Sequence, residues 1–130
     1  MPVYQGPNSC SARREGVYVR RLRGRGVDTV FEAVALAYMC LRDLRRGYTW
    51  ENGSCRRIKM TGELFEKRVR FIYTLSLFHG ADPKTRHIIR GLVEYVLKRR
   101  RLPKTVPMPS GARVPVREIL ARMIVRRGRR

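Results

Sequence analysis

Acidic residues are what this sequence most lacks. Its 130 residues include 10 Asp and Glu against 30 Lys and Arg, a formal net charge of +20. Such an imbalance strains a compact monomer by self-repulsion unless a polyanion neutralises it. Lysine is scarce as well, 5 residues against 25 arginines. A GC-rich genome or heat adaptation would account for arginine over lysine, but neither explains the shortage of acids. The planar guanidinium fork matches phosphate oxygens, so the arginine excess points to nucleic acid as partner.

Catalytic signatures are also missing: there is no GxSxG, P-loop, HExxH or Gly-rich phosphate fingerprint. The few carboxylates are scattered, and Asp28, Glu32 and Asp82 read as helix caps. Glu63, Glu66 and Lys67 come nearest to a metal-nuclease cluster, but they fall in a helix's first turn, where acids are favoured anyway. No enzymatic activity and no cofactor are expected. The three cysteines, Cys10, Cys40 and Cys55, form no CxxC. Together with His79 and His87 they offer no ligand pair at finger-like spacing, so no metal is expected either. Cys40 reads as a small buried apolar residue. Whether Cys10 and Cys55 pair is left open by their spacing. The start Met1-Pro-Val-Tyr-Gln carries no basic-then-apolar signal segment, so secretion is not expected. Nor does any apolar run reach the roughly 18 residues of a membrane span.

Among what is present, the stretch 30–41, VFEAVALAYMCL, dominates, with only Glu32 breaking its apolar character. A helix apolar on all sides must be surrounded by protein, so this is the expected core helix, over 29–46. Thr29 and Glu32 have the spacing of a reciprocal capping box, and Gly47 suits the left-handed turn at the end. Asn52-Gly53 between β-prone residues predicts a small hairpin or tight loop within 48–59. Trp50 is expected to cap the edge of the core rather than to stack on a base.

A second helix is predicted over 62–79, so widely apolar that Leu77 and Phe78 are candidates to face another subunit. Asp82 and Pro83 open a third, over 83–101, with Arg86, Arg90, Lys98 and Arg101 opposite its apolar stripe. Residues 102–113, with three prolines, predict an extended polyproline-like connection. Val116, Ile119, Leu120, Met123 and Ile124 space out a last helix over 116–127.

Both ends are basic. Residues 1–27 read as an extended arm ahead of a helical domain at 28–130. The arm carries Arg13, Arg14, Arg20, Arg21, Arg23 and Arg25, with Val17-Tyr18-Val19 open to a short strand or anchor. Residues 126–130 form a second basic tail with Arg126, Arg127, Arg129 and Arg130. These ten arginines and the four cations on the third helix are the candidate nucleic-acid contacts. The expected fold class is all-α: a bundle of about four helices with the arm and a possible hairpin. A helix-turn-helix regulator is an alternative, with Lys84, Thr85, Arg86 and His87 entering a groove. The spread of the basic residues instead favours sequence-independent phosphate binding.

With its arm RREGVYVRRLRGRG at 13–26, its small helical body and its arginine excess, the chain resembles the small capsid proteins of filamentous and rod-shaped archaeal viruses, the tristromavirus type above all. The resemblance covers the whole chain in architecture and composition. It implies a nucleocapsid subunit of a helical virion, assembled in the host archaeal cytoplasm. That subunit would dimerise with itself or a paralogue and hold double-stranded DNA in A-form. An archaeal ribosomal or other structural RNA-binding protein is the alternative that composition suits equally.

Overall fold

A computed structural model describes residues 6–22 and 26–127. The candidate contacts Arg23, Arg25, Arg129 and Arg130 lie outside the described residues. Among the described residues, five helices and six short strands follow in the order α1 (Gly6–Glu15), β1 (Val17–Val19), α2 (Val27–Arg46), β2 (Tyr48–Trp50), β3 (Arg57–Lys59), α3 (Gly62–Phe78), α4 (Pro83–Arg99), β4 (Thr105–Pro107), β5 (Arg113–Pro115), α5 (Val116–Met123) and β6 (Ile124–Arg126). The strands pair as three antiparallel ribbons, β1–β6, β2–β3 and β4–β5. The expected all-α class is therefore corrected to a largely helical mixed α/β fold.

The central helix is α2. Residues 30–37 and 39–41 are all buried, and Leu36 is 2% exposed. Helices α3, α4 and α5 pack around it, with α1, β1 and β2 closing the remaining side. Its start differs from the expected capping box. The helix begins at Val27 after Gly26 (φ 66°), with no side-chain cap. Glu32 instead accepts from the backbone N–H of Leu22 at 3.0 Å and pairs with Arg21 at 3.0 Å, holding the incoming chain against the helix. The other ends follow local chemistry. Gly47 closes α2 in the left-handed region, and Thr61 caps α3 by accepting from the Leu64 N–H at 3.1 Å. Asp82 caps α4 through the Thr85 N–H at 2.8 Å, a bond that holds its carboxyl below the ordinary aspartate value.

The arm is the largest departure among the described residues. Where 1–27 was expected to be extended, residues 6–15 are helical and 17–19 form a strand. Asn8 anchors the two, accepting from the Val19 N–H at 2.6 Å. A disulfide joins Cys10 to Cys55 across 45 residues and ties α1 to the β2–β3 loop. Closing a loop of that length stabilises the fold by about 4 kcal/mol on the chain-entropy argument. The bond also takes both thiols out of any zinc ligand set.

Two further stretches fold where none or another element was expected. The proline-rich connection 102–113 contains β4 and runs into β5, which begins at Arg113. Met108 N–H donates to Ala112 O at 2.7 Å, and Val116 N–H to Lys104 O at 2.9 Å. The bonded positions therefore alternate through 104, 106 and 108. Pro107 and Pro115 fall on the intervening positions, where no ladder N–H is needed. The last helix stops at Met123, and Ile124-Val125-Arg126 leaves as β6 to pair with β1 (Val17↔Arg126, Tyr18↔Val125, Val19↔Ile124). Ile124 matches the helical period but is β-branched, and here the strand preference prevails. The hairpin within 48–59 is present, although its loop is the six residues 51–56 rather than a two-residue Asn-Gly turn.

Candidate nucleic-acid interface

The β1–β6 ribbon brings the two basic ends of the chain together. Arg20 N–H donates to Met123 O at 2.7 Å and Arg127 N–H to Gly16 O at 2.8 Å. Arg126 stands opposite Val17 in register. Gly16 has φ 71°, and a Cβ there would lie 3.5 Å from Cβ of Arg127. This left-handed residue lets α1 turn directly into the ribbon beside the C-terminal strand. Arg13 and Arg14 in the last turn of α1 thus lead directly into the strand that pairs with Arg126, although 112 residues separate Arg14 from Arg126 in sequence. Arg13, Arg20, Arg126 and Arg127 are all exposed. Arg127 also covers the ring of Tyr18, 5.5 Å from its centroid.

Two of the four described arm arginines have internal duties. Arg14 donates from Nε to Cys55 O at 3.0 Å, and Arg21 pairs with Glu32.

The four cations expected as one stripe on α4 are spread over different surroundings. Arg86 is only partly exposed, with its Nε enclosed. Arg90 lies over the ring of Tyr73 on α3 at 5.2 Å, and with Arg70 it lines a groove of about 320 Å³ between the two helices. Lys98 is exposed. Arg101 lies beyond the helix end, after Arg100 turns the chain through a left-handed conformation (φ 55°). There it joins Arg45, Lys104 and Arg117 on the rim of a cleft of about 580 Å³. The cleft walls include Tyr38, Leu41, Leu102, Pro103 and Leu120, so an apolar interior sits beneath four positive charges. No sequence signal marks this site, because α2, the 101–105 segment and α5 meet only in the fold.

A second group that sequence reasoning missed is internal. Asp43 is fully buried (0% exposed) and accepts from the Thr49 hydroxyl at 2.8 Å. Arg42 and Arg46 stand 3.3 and 3.0 Å from its carboxylate, and both also pair with Glu15. Arg68, 5% exposed, donates to Thr49 Oγ1 at 2.6 Å and to Trp50 O at 2.9 Å. Burial pushes the Asp43 carboxyl up despite the Thr49 bond and the two arginines. Burial also acts to raise Glu15, but the bond from Arg46 and the charge of Arg42 outweigh it and hold this group low. These arginines are structural. The signal for Arg68 was available, since it shares the buried face with Phe65, Val69 and Ile72 at helical spacing.

Among the described residues, Glu15, Glu32, Asp43, Glu51 and Glu66 are engaged by arginines within the fold. The exposed cations therefore have few acids left to balance them. No helix among the described residues is long and apolar enough to cross a membrane. No protein-family model matches this sequence, and comparison with curated proteins and with solved structures gives no significant match.

Proposed function

We propose that this chain is a non-enzymatic nucleocapsid protein that coats double-stranded DNA through its phosphate backbone, without reading sequence. The observation that carries the reading is the ribbon joining both basic termini on a molecule of net charge +20. Arg13, Arg20, Arg126 and Arg127 are exposed in and beside this ribbon, which unites two remote parts of the chain. Such an arrangement suits phosphates rather than base edges.

The helix-turn-helix alternative is disfavoured by the start of α4. Thr85 is 0% exposed and Arg86 is partly enclosed, which leaves only Lys84 and His87 of the four reading positions open. The described part of the arm is folded, so the coating proposed here uses a preformed surface. A-form DNA, a paralogous partner and a location in the virion belong to the same proposal.

Electron microscopy of the purified protein with long double-stranded DNA tests it. Regular filaments that form equally on unrelated sequences are expected. Discrete particles formed only with structured RNA would replace this reading with the ribosomal one.

A further inference from the structure

Three large apolar side chains are exposed among the described residues, and all lie at one end of the molecule: Val27 (39%), Leu77 (44%) and Phe78 (46%). The first turn of α2 and the last turn of α3 are neighbours there, since Thr29, Leu75 and His79 line one small cavity. Lys84 and Arg86, on the first turn of α4, are cations that act on Asp82 at this end. Residues 76–83 contain no Lys or Arg, and Asp28 and Asp82 flank the apolar group from the starts of α2 and α4. On a chain with three basic residues for each acid, an apolar knob flanked by two carboxylates needs a physical use.

The cleft of about 580 Å³ supplies the complement. Its interior is apolar, and its rim carries Arg45, Arg101, Lys104 and Arg117 without an acid among its lining residues. Knob and cleft sit toward opposite ends of α2. Val27 and Arg45 are 18 residues apart, about 27 Å along a helix axis. A chain therefore cannot fill its own cleft with its own knob.

We propose that the occupant of this cleft is the Leu77–Phe78 knob of a second copy of the chain, with Asp28 and Asp82 facing the cationic rim. The contact uses different surfaces on the two copies, so it does not close on itself as a two-fold dimer. Repeated, it generates an open, head-to-tail polymer. Apolar insertion provides the anchor, and the charge match selects knob-to-cleft over knob-to-knob, where four carboxylates would gather. This inference needs no property of the phosphate-binding surface. Its failure leaves the DNA-coating reading standing, and the reverse also holds.

The test uses full-length, nuclease-treated protein and no nucleic acid. Sedimentation velocity is followed against protein concentration at about 0.3 M salt, where screening over roughly 6 Å reduces repulsion between net charges. The wild type is expected to grow in mass without a fixed end point. A knob variant (Leu77→Ser with Phe78→Ser) and a cleft variant (Arg45→Glu with Arg117→Glu) should each need at least about ten-fold more protein to associate. Mixed, the two variants should form a 1:1 heterodimer and stop, because each mixture has one intact knob and one intact cleft per pair. All four substituted positions are exposed, so circular dichroism should show unchanged folding. A wild type that stays monomeric throughout overturns the proposal. So does a dimer abolished by the knob variant but untouched by the cleft variant, since that is a two-fold contact.

Discussion

At the scale of single residues, the arginines divide into those that hold the fold and those that face outward, and the division follows burial rather than sequence position. Asp43 is the pivot of the inner set, with Thr49, Arg42 and Arg46 on its carboxylate. Removing one member of a buried charge network leaves the others uncompensated, which costs more than the network contributes as a whole. Asp43→Ala should therefore lower unfolding free energy by about 3 kcal/mol or more, read as a shifted denaturant midpoint. A midpoint within experimental scatter of the wild type would show that Arg42 and Arg46 are satisfied without it. Glu15 gives a pH signature. Its folded value lies below the ordinary glutamate value, so its stabilisation is present above that ordinary value and lost as pH falls through the lowered one. Asp43, pushed up by burial, acts in the opposite sense: alone it favours folding in acid and loses that advantage as pH rises through its folded value. Glu15→Gln should accordingly flatten the acid side of a melting-temperature profile. Parallel profiles for variant and wild type would show that the pairs with Arg42 and Arg46 contribute nothing.

At the scale of elements, the ribbons decide what the termini do. Gly16, Tyr18 and Arg20 oppose Arg127, Val125 and Met123 at the hydrogen-bonded positions of β1–β6. Val125→Pro removes a donor from this ladder, whereas Arg126→Pro falls on a position whose N–H points away. The first should lower the melting temperature by several degrees and expose residues 124–127 to trypsin. The second should do much less, and equal effects would show that the ribbon does not hold the C-terminal strand. Much of the helical frame was legible in the sequence. Asp82-Pro83 and Gly47 are local signals whose bonds close within a turn, and the apolar run 33–41 of α2 announces its central place. The ribbons were not legible. Val17-Tyr18-Val19 and Ile124-Val125-Arg126 are three residues each, too short to carry a period. Their partners lie more than 100 residues away, so only the closed fold defines them. The prolines of 102–113 suggested an open connection because their placement on unbonded positions depends on a register that composition does not encode.

At the scale of the whole molecule, the excess positive charge is the property the sequence displays most plainly, and its distribution is the property it hides. The arm and tail arginines read as separate clusters in the sequence, and the fold sets Arg20, Arg126 and Arg127 along one ribbon, with Arg13 on the helix that leads into it. The α4 stripe was identified as one surface, and the fold divides it between the Tyr73 groove, open solvent and the cleft. The measurement that tests the central claim most directly is therefore the salt dependence of binding to two duplexes of unrelated sequence. Contact with about ten phosphates gives log K against log salt a slope near −9. Replacing Arg13, Arg20, Arg126 and Arg127 by Gln removes four contacts, which should bring the slope to about −5 or −6, equally on both duplexes. A slope near zero, or a variant whose slope matches the wild type, would contradict the claim that the joined termini bind the phosphate backbone.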